Sequence, residues 1–504
     1  MAMSIIISYL LPFLPLVVGS GILPFMKKLR IFRRVLLSSF IIALLAHILS
    51  LLFILIPSGI FWISLSSAPI IFSLISKSFY TSVFFIDSIS TFFICLALGL
   101  GILILFYSYN ALKEDDVPEL YFSLLCLFTI SLLLFFSVGD LISLFASWEL
   151  MCITLYALIF LRRSEPLSLE AGTKYLMMSA ISSALIIYSI SLIYGTTGRL
   201  DFIGVHNNLS KASSISVLYL AIVFLVVAFG FKAAIVPFHT WAPDVYQETI
   251  DPVTALLSGI ASKTGIYALL RICIFLIRLP RIGMILALLA AITMTLGNIV
   301  ALLQRDLKRL LAYSSISHMG YILVGIATGT PYGVLGALFH SLNHAIAKPL
   351  LFFCTGEVSN KYNSRNLDEI SGCGRLIPSI GLPMSFGIFS LMGIPGLNGF
   401  ISKFILISAA FKAGFTWLAI VTIINSAIAV AYYLRILQVV FRQPKQLEAK
   451  QNKRYSSPVA SMIAIFVLMI LCIVIGVAPS LFYEWLNIAS KSLFSKTYVY
   501  LKGF

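Results

Sequence analysis

The chain alternates long apolar stretches with short polar or basic connections. About 20 apolar residues are enough to cross the hydrocarbon core of a bilayer as a helix. We predict fourteen such helices, near 4–22, 34–56, 80–109, 118–137, 139–161, 169–194, 216–240, 249–278, 281–303, 307–328, 333–354, 377–411, 416–442 and 457–481. The apolar segment 58–76 contains Gly59 and Pro69, which favours an external loop or hairpin. The pattern predicts an all-α polytopic membrane protein.

Composition and charge agree with a membrane protein. Of the 504 residues, 60% are hydrophobic and only 11% are charged, which is far from the balance of a soluble chain. Most loop lysines and arginines lie in the odd-numbered loops, beginning with Lys27, Lys28 and Arg30. Basic loops face the inside, so we expect a multi-pass protein of the cell (inner) membrane with both termini outside. The net charge of +16 is then a topology signal, and no nucleic-acid partner is expected.

The sequence predicts neither a cofactor nor a metal. The seven cysteines are scattered and form no CxxC pair, which argues against an iron–sulfur cluster, a zinc site or a disulfide framework. The N-terminal stretch has no basic region or small-residue cleavage site and is typical of a retained first helix. His340 and His344 are four residues apart but lack a third ligand. The sequence therefore predicts no redox centre in this chain.

Five ionisable residues lie inside stretches that are otherwise apolar enough to span a membrane: Glu149, Lys232, Lys263, Lys348 and Lys403. A charge at the centre of a membrane helix costs about 2.5–3.5 kcal/mol on insertion scales, so it is paired, hydrated or able to change protonation. A lysine can also extend to the interface, and for Lys348, which precedes Pro349, this reading stays open. Together the five residues predict proton movement.

Two of the predicted spans should be interrupted at membrane depth. Pro237 follows Lys232 by five residues and removes an amide donor from the seventh span. The twelfth span has four helix-breaking residues just before its own lysine, Gly393, Pro395, Gly396 and Gly399. Two interrupted spans five helices apart predict an inverted repeat of helices 4–8 and 9–13. This plan divides the chain into 1–115 (helices 1–3), 116–280 (helices 4–8), 281–442 (helices 9–13) and 443–504 (the last helix and a short tail).

Four motifs resemble those of a known family. In chain order they are FGFKAAIVPFHTWAPDVYQETIDPVTALLSGIASKTGIYALLRI, RDLKRLLAYSSISHMGYILVGI, HSLNHAIAKPLLFFCTGEV and GIPGLNGFISKF, and they extend over most of residues 80–410. The chain thereby resembles the antiporter-like proton-translocating subunits of respiratory complex I (NADH-quinone oxidoreductase), membrane-bound hydrogenases and Mrp cation/proton antiporters. The wording of NGFISKF and ISGCGRLIP leans toward the hydrogenase and Mrp branches. The resemblance implies 14 helices and two inverted five-helix units joined by a hydrated charged axis at the membrane midplane.

The resemblance also implies roles for individual residues. The key glutamate of helix 5 falls on Glu149, and the helix-7 and helix-8 lysines on Lys232 and Lys263. The histidines of helices 10 and 11 fall on His318 and His344, and the helix-12 position on Lys403. Further relay candidates come from the residues themselves. His340 and Lys348 flank His344 at four-residue steps on one helical stripe, and Asp87 lies in the third span as either a structural partner or a relay.

These expectations converge on a proton-translocating, antiporter-like subunit of a redox-driven membrane complex of the complex I or membrane-bound hydrogenase type. If Glu149 lies against Lys232, separating the two would disfavour the charged lysine and release its proton. The expected partners are other membrane subunits, including further antiporter-like ones, the lipid bilayer, and protons or Na⁺. Two alternatives remain, a subunit of an Mrp-type Na⁺/H⁺ antiporter and a non-pumping membrane scaffold.

Overall fold

The fold is a bundle of helices that follows the predicted spans. The computed structural model describes residues 79–80, 84–112, 118–162, 165–209, 212–274, 280–443 and 457–494. The predicted spans 4–22 and 34–56 and the predicted loop 58–76 lie outside these residues. A two-residue antiparallel pair, β1 (Phe79–Tyr80) and β2 (Phe85–Ile86), precedes the first described helix.

In chain order the helices are α1 (Ser88–Ala111), α2 (Pro118–Ser137), α3 (Leu141–Ile159), α4 (Pro166–Thr197), α5 (Phe202–Asn208), α6 (Ile215–Lys232), α7 (Trp241–Glu248), α8 (which begins with Asp251–Leu256), α9 (Pro280–Leu303), α10 (Leu307–Ala327), α11 (Pro331–Tyr362), α12 (Pro378–Met392), α13 (Asn398–Lys412), α14 (Thr416–Phe441), α15 (Val459–Val477) and α16 (Ser480–Ser492). Helix α8 continues through a π-helical segment (Leu257–Ala261), an α-helical one (Ser262–Leu269) and a second π-helical one (Leu270–Ile274).

Ten helices in the described ranges are long and apolar enough to cross a membrane. They coincide with ten of the predicted spans from residue 80 onward. The remaining two predicted spans, 333–354 and 377–411, correspond to α11 and to the pair α12 and α13. An all-α polytopic membrane protein is therefore confirmed.

Several helices begin at an acidic side chain that caps the first turn. Asp87, Asp140, Asp201 and Asp306 each accept a hydrogen bond of 2.8–2.9 Å from the backbone N–H three residues later. Such a cap satisfies an amide that has no partner within the helix. The four aspartates thus fix the starts of α1, α3, α5 and α10.

Both predicted helix breaks are present. Helix α6 ends at Lys232 and helical structure resumes at Trp241, after a turn in which Ala234 has a φ of 52°. The indole Nε1 of Trp241 donates to the carbonyl oxygen of Phe231 at 2.9 Å, so a backbone acceptor freed by the break keeps a partner. Between α12 and α13, Gly393 and Gly396 have φ values of 87° and 90°, a region that favours glycine.

Helices α8 and α10 form the interior of the bundle. Every residue in the apolar window of α8 is buried, and 94% of those in α10 are, whereas only 33% are buried in α4. Ionisable residues on α8 and α10 are therefore surrounded by protein. The outward face of α4 is apolar, with exposed residues such as Met177 and Ile181, as expected for a lipid-facing helix.

Alternate loops meet on the same face of the bundle. The loop before α10 bridges the loop after α11 at Asp306 and Asn366, and Arg365 of that loop donates to the carbonyl oxygen of Gln247 in α7. On the other face, the N–H of Phe202 donates to the carbonyl oxygen of Gly139 at 3.0 Å. The first set belongs to the predicted odd-numbered loops and the second to the even-numbered ones.

Candidate functional site: a buried series of ionisable side chains

Lys232 lies at the C-terminal end of α6 in an aromatic and hydroxyl environment. Its side chain is 1% exposed. The ammonium Nζ donates to the hydroxyl of Tyr175 at 2.5 Å and to the Sγ of Cys152 at 3.5 Å. It also lies 5.3 Å from the ring centroid of Trp148 and 5.2 Å from that of Tyr175. Two aromatic faces and a phenol oxygen therefore stabilise the cation.

Glu149 does not form the ion pair with Lys232 on which the switch expectation depended. Among the described residues, no carboxylate lies within ion-pair distance of Lys232, and the buried Oε1 of Glu149 has no hydrogen-bond partner. The reason is helical geometry. Trp148 and Cys152 are four residues apart on α3 and share the face that meets Lys232, and Glu149 is turned about 100° away from Trp148.

Lys263 and His344 are in direct contact. The Nζ of Lys263 lies 2.5 Å from the Nδ1 of His344, and both side chains are fully buried. The same ammonium donates to the carbonyl oxygen of Ser258 and to the Oγ of Ser262, the latter at 3.2 Å. Ser258 lies in the first π-helical segment of α8, a type of irregularity that is frequent at functional sites.

A second polar chain joins α10, α11, α13 and α14. The Nδ1 of His318 lies 3.0 Å from the Nε2 of His340, and the Nδ1 of His340 lies 2.9 Å from the Oγ of Ser402. The other nitrogen of His318, Nε2, is 3.2 Å from the hydroxyl of Tyr433. The ring centroids of His318 and His344 are 5.4 Å apart, so the two polar chains meet at this point.

Lys403 and Lys348 both bind backbone carbonyl oxygens of neighbouring helices. The Nζ of Lys403 donates to the carbonyl oxygens of Leu391 and Met392 at 2.9 and 3.0 Å, at the C-terminal end of α12. That end of a helix carries partial negative charge and stabilises a cation. Lys348 donates to the carbonyl oxygen of Leu311 at 2.9 Å and to the Oγ of Ser314. Its side chain is fully buried, so it does not extend to the interface.

Asp87 forms a closed ion pair with Arg271, near the second π-helical segment of α8. The guanidinium donates to the two carboxylate oxygens at 2.7 and 2.5 Å, to the Oγ of Ser90 at 2.7 Å and to the hydroxyl of Tyr267 at 3.0 Å. Both charged side chains are 2% exposed. This bidentate geometry ties the start of α1 to α8 and matches the structural-partner reading of Asp87.

The acidic residues that follow the break after α6 are paired with basic side chains. Asp244 contacts Lys174 and Arg309, each at 2.8 Å, and Asp251 contacts Lys308 at 2.6 Å. These pairs join α4, α7, α8 and α10 on one face of the bundle. The Lys174–Asp244 pair is partly exposed and contributes little to stability, whereas the Lys308 side chain is only 5% exposed.

Comparison with known proteins identifies the family. The family described as NADH:quinone oxidoreductase/Mrp antiporter, TM, matches residues 138–429, more than half of the chain. The chain belongs to this family. Within the NADH:quinone oxidoreductase/Mrp antiporter family, F(420)H(2) dehydrogenase subunit N of Methanosarcina mazei is 33% identical over 410 residues, which cover 79% of this chain and 83% of that protein. NADH-quinone oxidoreductase subunit N of Trichlorobacter lovleyi is 35% identical over 416 residues, 81% and 84% of the two chains.

Three solved structures share the fold. A chain of respiratory complex I from Thermus thermophilus superposes with a TM-score of 0.76 at 27% identity, covering 95% of this chain and 99% of that one. Chains of the archaeal membrane-bound sulfane sulfur reductase and of the Mrp complex from Dietzia sp. DQ12-45-1b give TM-scores of 0.86 and 0.83 at 24% and 22% identity. They cover 98% of this chain and 99% and 98% of their own lengths. At those identities the likeness concerns the fold alone.

Within this family fold, the predicted site residues fall into separate groups. One group contains Lys263 in contact with His344 and His318 in contact with His340, and the His344 and His318 rings lie 5.4 Å apart. Lys403 directly follows Ser402, whose hydroxyl contacts His340. Lys232 and Glu149 form a distinct region on α6 and α3. Sequence reasoning missed Tyr175, Arg271, Ser402 and Tyr433. Only Arg271 had a signal, because it is a charge within an apolar predicted span.

Proposed function

We propose that the chain is a proton-translocating, antiporter-like subunit of a redox-driven multisubunit membrane complex. The observation that carries this proposal is the buried series Lys263, His344, His318, His340 and Ser402, with contacts of 2.5–3.0 Å except at the junction of His344 and His318. Ionisable groups buried in a membrane protein are costly and rare, and they typically mark proton or ion pathways. The relatives named as F(420)H(2) dehydrogenase subunit N and NADH-quinone oxidoreductase subunit N support a redox-driven complex.

The series offers a route through the second half of the chain. A neutral imidazole has one nitrogen that donates and one that accepts, so His344, His318 and His340 can each take up a proton on one nitrogen and release one from the other. A proton on Lys263 passes to the Nδ1 of His344. The other nitrogen of His344, Nε2, is buried without a hydrogen-bond partner, and a water at this atom would bridge toward His318. From His340 the Oγ of Ser402 leads to Lys403, which acts as the gate to the exit or to the next subunit.

Glu149 and Lys232 form the input to this route. Both belong to the first predicted repeat. Lys232 lies at the end of the helix that precedes the first break, and Lys403 binds the end of α12, the helix that precedes the second break. This correspondence supports the division into inverted repeats of helices 4–8 and 9–13, within 116–280 and 281–442, flanked by 1–115 and 443–504. We further propose that the chain has fourteen membrane spans, with both termini on the outer side of the cell membrane. Neighbouring membrane subunits, including further antiporter-like ones, are the proposed partners.

The alternative within the family is a subunit of an Mrp-type Na⁺/H⁺ antiporter. The matched family includes Mrp antiporters by name, which supports this alternative. The two functions differ in what drives transport. Electron transfer drives the first, and an existing ion gradient drives the second.

The test is proton pumping by the intact complex in sealed liposomes. Wild type, Lys232→Ala and Glu149→Ala are compared during electron-donor turnover and then under an imposed pH gradient without donor. Lys412→Ala is the matched control, because Lys412 is an exposed lysine at the end of α13. We expect donor-driven proton uptake or release in wild type and Lys412→Ala, and its loss in the other two variants.

Other results would lead to different conclusions. Sodium exchange driven by the pH gradient, with no need for an electron donor, would assign the chain to the antiporter alternative. Unchanged pumping in both Lys232→Ala and Glu149→Ala would refute the buried relay and leave a scaffold role.

A further inference from the structure

We propose that Tyr175 is the alternative partner of the Lys232 ammonium and holds it in the state in which Lys232 is separated from Glu149. This inference rests on the proposed function, in which Glu149 and Lys232 form the input to the proton route. Tyr175 would be a positioning residue that sets how often Lys232 and Glu149 pair.

The contacts of Lys232 in this structure correspond to the state in which it is separated from Glu149. Its Nζ is 2.5 Å from the Tyr175 hydroxyl, the shortest of its contacts, and the rings of Tyr175 and Trp148 flank it. A phenol oxygen and two aromatic faces can bind a cation without a carboxylate. The nearby Oε1 of Glu149 is buried and has no hydrogen-bond partner. A buried carboxylate oxygen without a hydrogen-bond donor is unfavourable, so a movement that brings a donor to it lowers the free energy.

The Tyr175 hydroxyl is held in place by the helix break beside it. The ring packs edge-on against Trp241 with centroids 4.8 Å apart, and against Phe231 at 5.7 Å. Trp241 is itself fixed by its bond to the carbonyl oxygen of Phe231. Tyr175 is therefore anchored to the segments on both sides of the break. A shift of α6 relative to α7 would move the hydroxyl and Lys232 with respect to each other.

Two binding positions for one ammonium make a two-state element. The occupancy of each position depends on the difference in free energy between them. Removing the hydroxyl of Tyr175 takes a hydrogen bond only from the separated state. The equilibrium should then shift toward the Lys232–Glu149 pair by about tenfold or more, since one charge-assisted hydrogen bond corresponds to at least one factor of ten.

The experiment uses the intact complex with Tyr175→Phe, which keeps the ring and removes only the oxygen. Tyr121→Phe is the matched control, because Tyr121 is equally buried and its hydroxyl bonds that of Ser108 at 2.7 Å, away from the lysines. Electron cryomicroscopy measures the distances from the Lys232 Nζ to residue 175 and to the Glu149 carboxylate. Donor-driven proton pumping in liposomes measures turnover and the KM for the electron acceptor.

We expect Tyr175→Phe to bring Lys232 within 4 Å of the Glu149 carboxylate, the usual limit for an ion pair. Pumping turnover should fall about tenfold, the KM for the acceptor should stay unchanged, and Tyr121→Phe should match wild type. A Lys232 that stays away from Glu149, or turnover equal to that of Tyr121→Phe, would overturn the proposal. Glu149→Gln is a second, independent variant. Lys232 should remain on the Tyr175 hydroxyl there, and finding it elsewhere would also overturn the proposal.

Lys232→Ala, measured alongside, separates this proposal from the proposed function. If Lys232→Ala pumps normally, the relay itself is refuted. If Lys232→Ala fails to pump and Tyr175→Phe behaves as its control does, only the role of Tyr175 is refuted.

Discussion

Breaking the buried ion pair between Asp87 and Arg271 should destabilise the protein more than removing both charges. Asp87→Asn keeps an oxygen that can cap α1, so the cap contributes little to the measured change. It leaves the Arg271 guanidinium buried without its counter-charge. Removing one partner of a buried pair typically costs about 3–5 kcal/mol, a large share of the total stability of about 5–15 kcal/mol of a domain.

The reciprocal variant is Arg271→Met, which leaves Asp87 buried and unpaired at a similar cost of about 3–5 kcal/mol. In the double variant neither charge of this pair remains. Replacing a whole buried pair by uncharged groups is often close to neutral. We therefore expect the double variant to be several kcal/mol more stable than the sum of the two single changes predicts, a coupling seen only between residues in contact.

The assay is maleimide labelling of the buried Cys126 in the purified complex as the SDS fraction is raised, read by mass spectrometry for this chain alone. Cys126 lies on α2 and is inaccessible while the helices are packed. Additive single effects, or a single variant as stable as wild type, would refute the reasoning. The double variant also tests the relay reading of Asp87, because a structural pair predicts normal pumping once both charges are absent.

Three further predictions concern other parts of the fold. Ser402→Ala removes the hydroxyl bonded to His340, so we expect pumping turnover to fall about tenfold. Ser402→Thr is the control, because it keeps the hydroxyl, and equal turnover in the two variants would contradict the route. Gly399→Ala adds a Cβ that overlaps the carbonyl oxygen of Ser390, so we expect a marked loss of assembled protein on gels, and normal yield would contradict this packing. Asp244→Asn removes partly exposed ion pairs and should lower stability in the SDS titration by at most about 1 kcal/mol, less at high salt; a loss above about 3 kcal/mol would show that the pairs are effectively buried.

The helices and their breaks were predictable because both depend on local sequence. Apolar runs of membrane length located α1 to α15 apart from the short connecting helices, and proline and glycine located the interruptions near 237 and 393–399. The end of α6 at Lys232, five residues before Pro237, was not predictable. It depends on the conformation of Ala234 and on the bond from Trp241, which form only after the segment packs.

Contacts within the site were less predictable, because they depend on how helices distant in sequence turn toward each other. Nothing local indicates that Tyr175 rather than Glu149 meets Lys232. One residue along α3 changes the direction of a side chain by about 100°. Arg271 could have been found by the rule that singled out Lys263, since both are charges in the span 249–278. The motifs NGFISKF and ISGCGRLIP, which leaned toward hydrogenases and Mrp antiporters, did not separate the branches, since the relatives described above are named as F(420)H(2) dehydrogenase and NADH-quinone oxidoreductase N subunits.

The contact between His318 and its neighbours has a consequence for timing. One ring nitrogen of His318 faces His340 and the other faces Tyr433. A proton that enters an imidazole at one nitrogen and leaves from the other exchanges the tautomer of the ring. The ring then presents a hydrogen where it needs a lone pair, and it cannot pass a second proton in the same direction until it rotates or is reset by a neighbour. In the proposed relay, a row of such rings passes one proton and then waits, so the packing that limits ring rotation sets how soon a second proton can follow in the same direction.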